Sequence, residues 1–176
     1  MNWRFAAAVI VAAVIGAGAG IGGYLYYDKA QRLAEASRRP LFQLPDLDDQ
    51  LQSVAQWDGK VVVLNFWATW CPPCVREVPM LVELQRELGP QGLQIVGVAV
   101  DKRDAARSFA EEAGVNYPIL YGVQAALEVS QLYANDAGTL PHTAIIDRQG
   151  IVRHIFRGEL ERQELEAAVR PLLGST

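Results

Sequence analysis

An α/β domain with a central mixed sheet flanked by helices is predicted by three features of the sequence. Apolar runs of strand length alternate with segments of helical period. Two of those runs enclose a helix in the order strand, helix, strand, which is the pattern of a right-handed parallel crossover. Paired short runs around turn residues stand near both ends of the region, as antiparallel hairpins do.

Each element follows from its residues. Leu41 to Leu44 and Leu51 to Val54 lie on either side of Asp48-Asp49-Gln50, so a hairpin is expected there. Asp58-Gly59 turns the chain into Val61-Val62-Val63-Leu64-Asn65-Phe66-Trp67, whose near-continuous apolar character is that of a buried central strand. From Pro72 to Leu88 the residues Val75, Val78, Leu81, Val82, Leu84 and Leu88 recur at helical spacing, and Gly89-Pro90 stops the segment. Leu93 to Val100 is a second buried strand. A helix near Asp104 to Ala113, a short strand at Ile119 to Tyr121 and a helix near Ala125 to Tyr133 follow. His142 to Ile146 and Ile151 to Phe156 flank the turn Asp147-Arg148-Gln149-Gly150, and a last helix runs from about Arg162 to Leu173.

Ahead of this region the chain changes character. No side chain from Phe5 to Tyr27 is charged, and as a helix such a run reaches ~34 Å against a hydrocarbon core of about 30 Å. Trp3 on one flank and Tyr24, Tyr26 and Tyr27 on the other suit the two membrane interfaces. Residues 1–28 are therefore expected to be a signal-anchor helix, with residues 5–27 in the bilayer. Ala17-Gly18-Ala19 keeps a cleaved signal peptide as the alternative. Read literally, the positive charges at Lys29, Arg32, Arg38 and Arg39 would hold the globular part in the cytoplasm. The short, positively started N-tail before a long apolar run is instead an export layout. That sets the expected location at the inner (cytoplasmic) membrane of a bacterium, single-pass, with the globular part in the periplasm. Polar residues 29–40 read as a linker, and residues 41–176 as one domain large enough to bury its own core.

Charge and cysteine content narrow the function. A net charge of −4 with no basic stripe excludes nucleic acid as an expected partner. The two cysteines of the chain are Cys71 and Cys74, three positions apart at a strand-to-helix junction. They can form one local disulfide, remain free thiols, or supply half of a metal site. A closed zinc site needs four ligands and the chain adds only His142 and His154, so no metal and no cofactor are expected and redox chemistry is favoured.

Asn65-Phe66-Trp67-Ala68-Thr69-Trp70-Cys71-Pro72-Pro73-Cys74, then Glu77-Val78-Pro79, and later Leu140-Pro141-His142-Thr143-Ala144-Ile145-Ile146-Asp147, together resemble the TlpA/ResA/CcmG group of membrane-tethered thioredoxin-like proteins. The resemblance covers nearly all of residues 41–176. It implies a thioredoxin-like fold with an N-terminal β-hairpin and a small central insert, here at residues 116–135. It also implies an exported reductant that keeps cysteines of client proteins open, such as those of apocytochrome c or copper-site proteins, and a membrane thiol-electron donor of the DsbD/CcdA kind.

Thiol-disulfide exchange needs a thiolate attacker, and Cys71 stands where the positive end of a helix dipole stabilises one. Cys74 lies on the same face and can resolve the mixed disulfide. Pro72 loses nothing in a first turn, and Pro72-Pro73 together remove two amide donors, which predicts a less acidic thiol and a more reducing couple. Glu77, three residues past Cys74, can relay the proton Cys74 must lose. Alternatively it is an exposed first-turn glutamate suiting the dipole. The resemblance favours the relay, since it implies an active-site glutamate at this offset; in support, the acid that thioredoxin carries on the preceding strand falls at Asn65, which takes no proton. Pro79 should cost about 3 kcal/mol unless absorbed as a kink. By resemblance, Pro141 is expected to be cis and to face the dithiol, leaving the Leu140 backbone to pair with a client strand.

Trp70 adjoins the attacking thiol and offers apolar surface for clients, so Trp70, Pro72, Pro73, Leu140 and Pro141 form the expected substrate-binding set. Trp67 reads as core. His142 is a bystander or a group facing the dithiol; His154 has no assigned role. Asp101 and Asp147 read as turn and capping residues. Two other functions compete. A redoxin-type peroxidase would need threonine three residues before its cysteine, where Ala68 stands. A copper-binding module would use Cys71, Cys74 and His142.

Overall fold

The computed structural model describes residues 38–174 together with Gly23 and Tyr24. The chain divides into two compact units, Met1–Arg38 and Arg39–Thr176. Of the first unit, Gly23 and Tyr24 are helical. The expected bilayer segment and most of the expected linker lie outside the described residues. Among the described residues no helix is long and apolar enough to cross a membrane.

The second unit opens with a two-stranded antiparallel sheet, β1 (Gln43–Pro45) and β2 (Leu51–Ser53). Asp46 shapes the turn between them, its Oδ1 accepting the backbone N–H groups of Asp48 and Gln50 at 2.9 Å each. This is the side-chain mimicry that suits Asp to turns. The start of this second unit is tied down as well: Arg39 N–H donates to Gly150 O at 2.8 Å, and its guanidinium pairs with Asp58.

The main sheet has five strands in the order β5-β4-β3-β6-β7. They are β3 (Val61–Trp67), β4 (Leu93–Ala99), β5 (Ile119–Tyr121), β6 (His142–Ile146) and β7 (Val152–Arg157). β3, β4 and β5 run parallel, whereas β6 is antiparallel to β3 and β7 antiparallel to β6. The sheet is thus mixed, as expected. Among the described residues four α-helices accompany it: α1 (Pro72–Leu88), α2 (Arg103–Glu112), α3 (Val123–Leu132) and α4 (Arg162–Leu173). The bounds of α1, β5 and α4 match those expected from pattern alone. β5 and α3 fall within residues 116–135, and α3 starts two residues earlier than the periodicity suggested.

Successive residues of a strand point to opposite faces, and β3 sorts the core accordingly. Val61, Val63 and Trp67 pack with Cys71, Cys74, Leu81 and Leu84 of the α1 side and with Leu165 and Val169 of α4. Val62, Leu64 and Phe66 pack with Leu44, Trp57, Ala126, Val129 and Tyr133 on the other face. All seven residues of β3 are buried. A central strand covered on both faces has no polar-out alternation to show, which is why its sequence reads as one run. Ile145 of β6 is fully buried on the dithiol side, so Ile145→Val should lower stability by about 1 kcal/mol, read as a lower urea midpoint at unchanged slope.

Candidate active site

The dithiol stands where β3 hands over to α1, and the loop between them is pinned from the neighbouring strand. Asp101, at the end of β4, accepts the Thr69 backbone N–H at 3.1 Å and the Thr69 hydroxyl at 2.6 Å through Oδ2, and the Lys102 N–H at 2.8 Å through Oδ1. Val100 N–H donates to Trp67 O at 2.8 Å. Asp101 is therefore a turn and capping group, in keeping with its expected role, and it also sets the approach to the cysteines.

Cys71 is the N-cap of α1 and is joined to Cys74 by a disulfide, with Cα atoms 5.3 Å apart. Pro72 and Pro73 occupy the first two helical positions, where a missing N–H costs no intrahelical bond. The first-turn amide that reaches the Cys71 sulfur is that of Cys74, with N···S 3.4 Å. Cys71 is 5% exposed and Cys74 is fully buried. The outer sulfur is the reachable one and the inner sulfur is sheltered, which is the asymmetry an attacker and a resolver need.

Glu77 is not an exposed first-turn glutamate: it is 3% exposed, facing the sheet. Its Oε1 accepts from Asn65 Nδ2 at 2.6 Å and its Oε2 from the Leu160 backbone N–H at 3.2 Å. Burial pushes its carboxyl from 4.5 up to about 7; the Asn65 and Leu160 hydrogen bonds oppose that rise, and the nearby Glu159 charge adds to it. A carboxyl poised there exchanges protons at physiological pH. Tyr117 is held well above its ordinary value by burial first and by the Glu77 charge second.

The Leu140-Pro141 bond is cis. Pro141 is buried and its carbonyl accepts the Gly158 N–H at 2.9 Å. Trp70, next to Cys71, is 65% exposed. Trp70 and Leu140 meet in one cleft of about 420 Å³, which Val123 and Leu127 of α3 complete on its apolar side, with Asp101 and Lys102 also in its lining. Residues 70 and 140, far apart in sequence, are thus brought to a common surface. Pro72 is exposed and Pro73 half-buried beside it in the chain.

The matching family model, AhpC/TSA, covers residues 36–155. The chain belongs to the AhpC/TSA family. It is 35% identical over 142 residues to the thiol-disulfide oxidoreductase ResA of Geobacillus kaustophilus, a match covering 80% of this chain and 79% of that protein. Among solved structures it resembles a thiol:disulfide interchange protein of the thioredoxin family from Chlorobium tepidum. That match has TM-score 0.70 and 28% identity, and covers 78% of this chain and 97% of the other. A secreted thiol-disulfide isomerase from Corynebacterium glutamicum is similar too, at TM-score 0.72 and 26% identity, covering 80% of this chain and 89% of the other. The fold is thioredoxin-like, and the protein is a thiol-disulfide oxidoreductase.

Within this AhpC/TSA-family oxidoreductase, His142 is separated from the dithiol. It pairs with Phe66 across β3 and β6, the two rings 6.0 Å apart, and so lies on the sheet face opposite Cys71 and Cys74. Its Nε2 donates to Tyr133 O at 2.8 Å, and burial lowers its pKa. The copper-binding alternative loses its third ligand on these grounds. Trp67 is core, packed on Phe109 with ring centroids 5.1 Å apart. His154 is exposed and stacks on Phe156. Asp147 holds the β6–β7 turn, its Oδ1 accepting the Gln149 and Ile151 N–H groups. Pattern reading missed Thr143, the Leu160 amide, and the donor role of Asn65. One signal was available: an asparagine inside a strand buried on both faces must find a partner.

Proposed function

We propose that this oxidoreductase is an exported, membrane-tethered reductant of client protein disulfides, acting through Cys71, Cys74 and Glu77. The observation that carries the reading is the thiol environment at the helix start. Cys71 has the dipole of a 17-residue helix behind it, yet its first two helical neighbours are prolines and offer no N–H to a thiolate. Weak thiolate stabilisation in the reduced form favours giving electrons away, the opposite of a strongly oxidising member of the fold.

In the forward direction the Cys71 thiolate attacks one sulfur of a client disulfide. A Cys71–client bond forms and the client's other sulfur leaves as a thiolate. Glu77 takes the Cys74 proton, and the Cys74 thiolate attacks the Cys71 sulfur. The Cys71–Cys74 bond forms, the client thiolate departs, and Glu77 returns its proton to solvent or to that thiolate. Two electrons pass from the enzyme dithiol to the client, and the disulfide seen here is the oxidised end of that cycle. A membrane thiol-electron donor of the DsbD/CcdA kind would restore the dithiol.

Trp70, Pro72, Pro73, Leu140 and Pro141 supply the client contact surface in this reading, with the 420 Å³ cleft receiving an apolar side chain near the client cysteine. The uncharged run from Phe5 to Tyr27 supports the tether, and the secreted relative supports export. Clients are expected to be apocytochrome c or copper-site proteins of the periplasm. The test is trapping: Cys74→Ser expressed in cells should accumulate exported proteins held on Cys71 as mixed disulfides that reductant releases. Recovery of cytosolic proteins alone, with a reporter fused to the C-terminus active only inside the cell, would overturn export.

A further inference from the structure

β3 carries one polar side chain, Asn65, in an otherwise apolar strand, and it is 1% exposed. Its Nδ2 donates to Glu77 Oε1 at 2.6 Å and to Thr143 Oγ1 of the adjacent β6 at 3.0 Å. Asn65 and Thr143 face each other directly in the β3–β6 register. We propose that Asn65, aimed by Thr143, is a positioning residue for the proton relay, holding the Glu77 carboxyl on the helical stripe it shares with Cys74. The inference rests on the reading of Glu77 as that relay.

Three features of the geometry support it. The carboxyl is gripped at both oxygens by donors from different elements, Asn65 on β3 and the Leu160 amide just before α4, so it cannot swing away from α1. Asn65 is in turn held by a partner on another strand, which stops its own rotation. Finally, an amide suits a group that changes protonation. It donates through Nδ2 to the carboxylate and equally to the remaining acceptor oxygen of the protonated acid, and it does not titrate itself. A carboxyl in the same place would sit within hydrogen-bond reach of Glu77 and merge the two titrations into coupled steps.

The other charged or titratable groups around Glu77 are few. Glu159 adjoins the Leu160 amide and is ion-paired with Arg76 of α1, Tyr117 contributes a buried phenol, and Cys74 shares the helix. None of these is altered by substitutions at Asn65 or Thr143.

The test uses the full-length protein and two readouts. Reduced enzyme mixed with an aromatic disulfide reagent releases one chromophoric thiol on Cys71 attack and a second on Cys74 resolution, so the pH dependence of the second phase reports the relay. The carboxyl resonance of isotope-labelled Glu77 in the oxidised protein reports its titration without turnover. Losing one hydrogen bond to a charged group, Asn65→Leu should move both midpoints up by about one pH unit. Thr143→Val should move them in the same direction, and Thr143→Ser should restore them. Asn65→Asp should split the carboxyl titration in two.

If Glu77→Gln flattens the profile of the second phase while folded Asn65→Leu and Thr143→Val leave both midpoints in place, the positioning role is overturned and the relay stands. If Glu77→Gln leaves that profile unchanged, the relay itself fails and the inference with it. Should Asn65→Leu not fold, Thr143→Val against Thr143→Ser decides the matter alone.

Discussion

Replacing Cys71 with serine will lower turnover of a protein disulfide by at least about a thousandfold, to the rate of the uncatalysed exchange. A serine hydroxyl at the α1 N-cap keeps the cap hydrogen bond to the helix but does not ionise near neutral pH, and an oxygen cannot form the mixed disulfide. Cys74→Ser behaves differently. Cys71, still 5% exposed at the helix start, attacks once, and the reaction stops at a covalent complex with one equivalent of client. Rapid-mixing measurements of chromophoric thiol release separate the two: no burst for Cys71→Ser, a single stoichiometric burst for Cys74→Ser. Wild-type turnover retained by Cys71→Ser would remove the basis for any dithiol mechanism in this chain.

The second large effect is on stability, and it comes from the buried carboxyl. Glu77 titrates near 4.5 when the chain is unfolded and at about 7 when folded, because burial disfavours its charge. Between those values the native state binds more protons than the unfolded state, so stability falls as pH rises through the window and levels off above it. Roughly 1.4 kcal/mol per pH unit over that window makes the total about 3.5 kcal/mol. Glu77→Gln should remove that decline, leaving the oxidised variant's unfolding free energy level or rising from about pH 5 to 8, since His142, whose pKa burial lowers, adds stability as pH rises. Urea titrations of both proteins across that range decide it; a wild type whose pH dependence matches that of Glu77→Gln would contradict a carboxyl buried at a neutral pKa. A protein that keeps such a group loses stability at neutral pH, and the proposed relay gives a reason for keeping it.

How much of this was visible in the residues varies with the element. The helix Pro72–Leu88 was legible because a cysteine cap, paired prolines at its start, a sustained apolar stripe and Gly89-Pro90 at its end all act within a few residues of one another. β3 and β4 were legible because a strand covered on both faces must be apolar along its length. The 3-10 turns at Val54–Trp57 and Gly89–Gln91 were not, since single turns of helix leave no periodicity to count. Cys71 and Cys74 could be picked out by spacing, and Glu77 by its offset from Cys74. Whether Glu77 faced solvent or sheet stayed open, because one position in a helix of mixed polarity suits either.

The chain's own order of residues therefore settles which side chains can exchange electrons and which strands and helices present them: those properties are local, governed by neighbours within a turn or a strand. It does not settle proton affinity or client surface. Glu77 owes its raised pKa to burial under β3, a rise that the Asn65 amide and the Leu160 N–H, 83 positions away, oppose. Trp70 and Leu140 share a cleft for the same reason, and His142 is denied the dithiol because strand alternation turns it to the other face. Desolvation and face selection depend on what the rest of the chain stacks against a residue, and that exists only once the sheet has assembled.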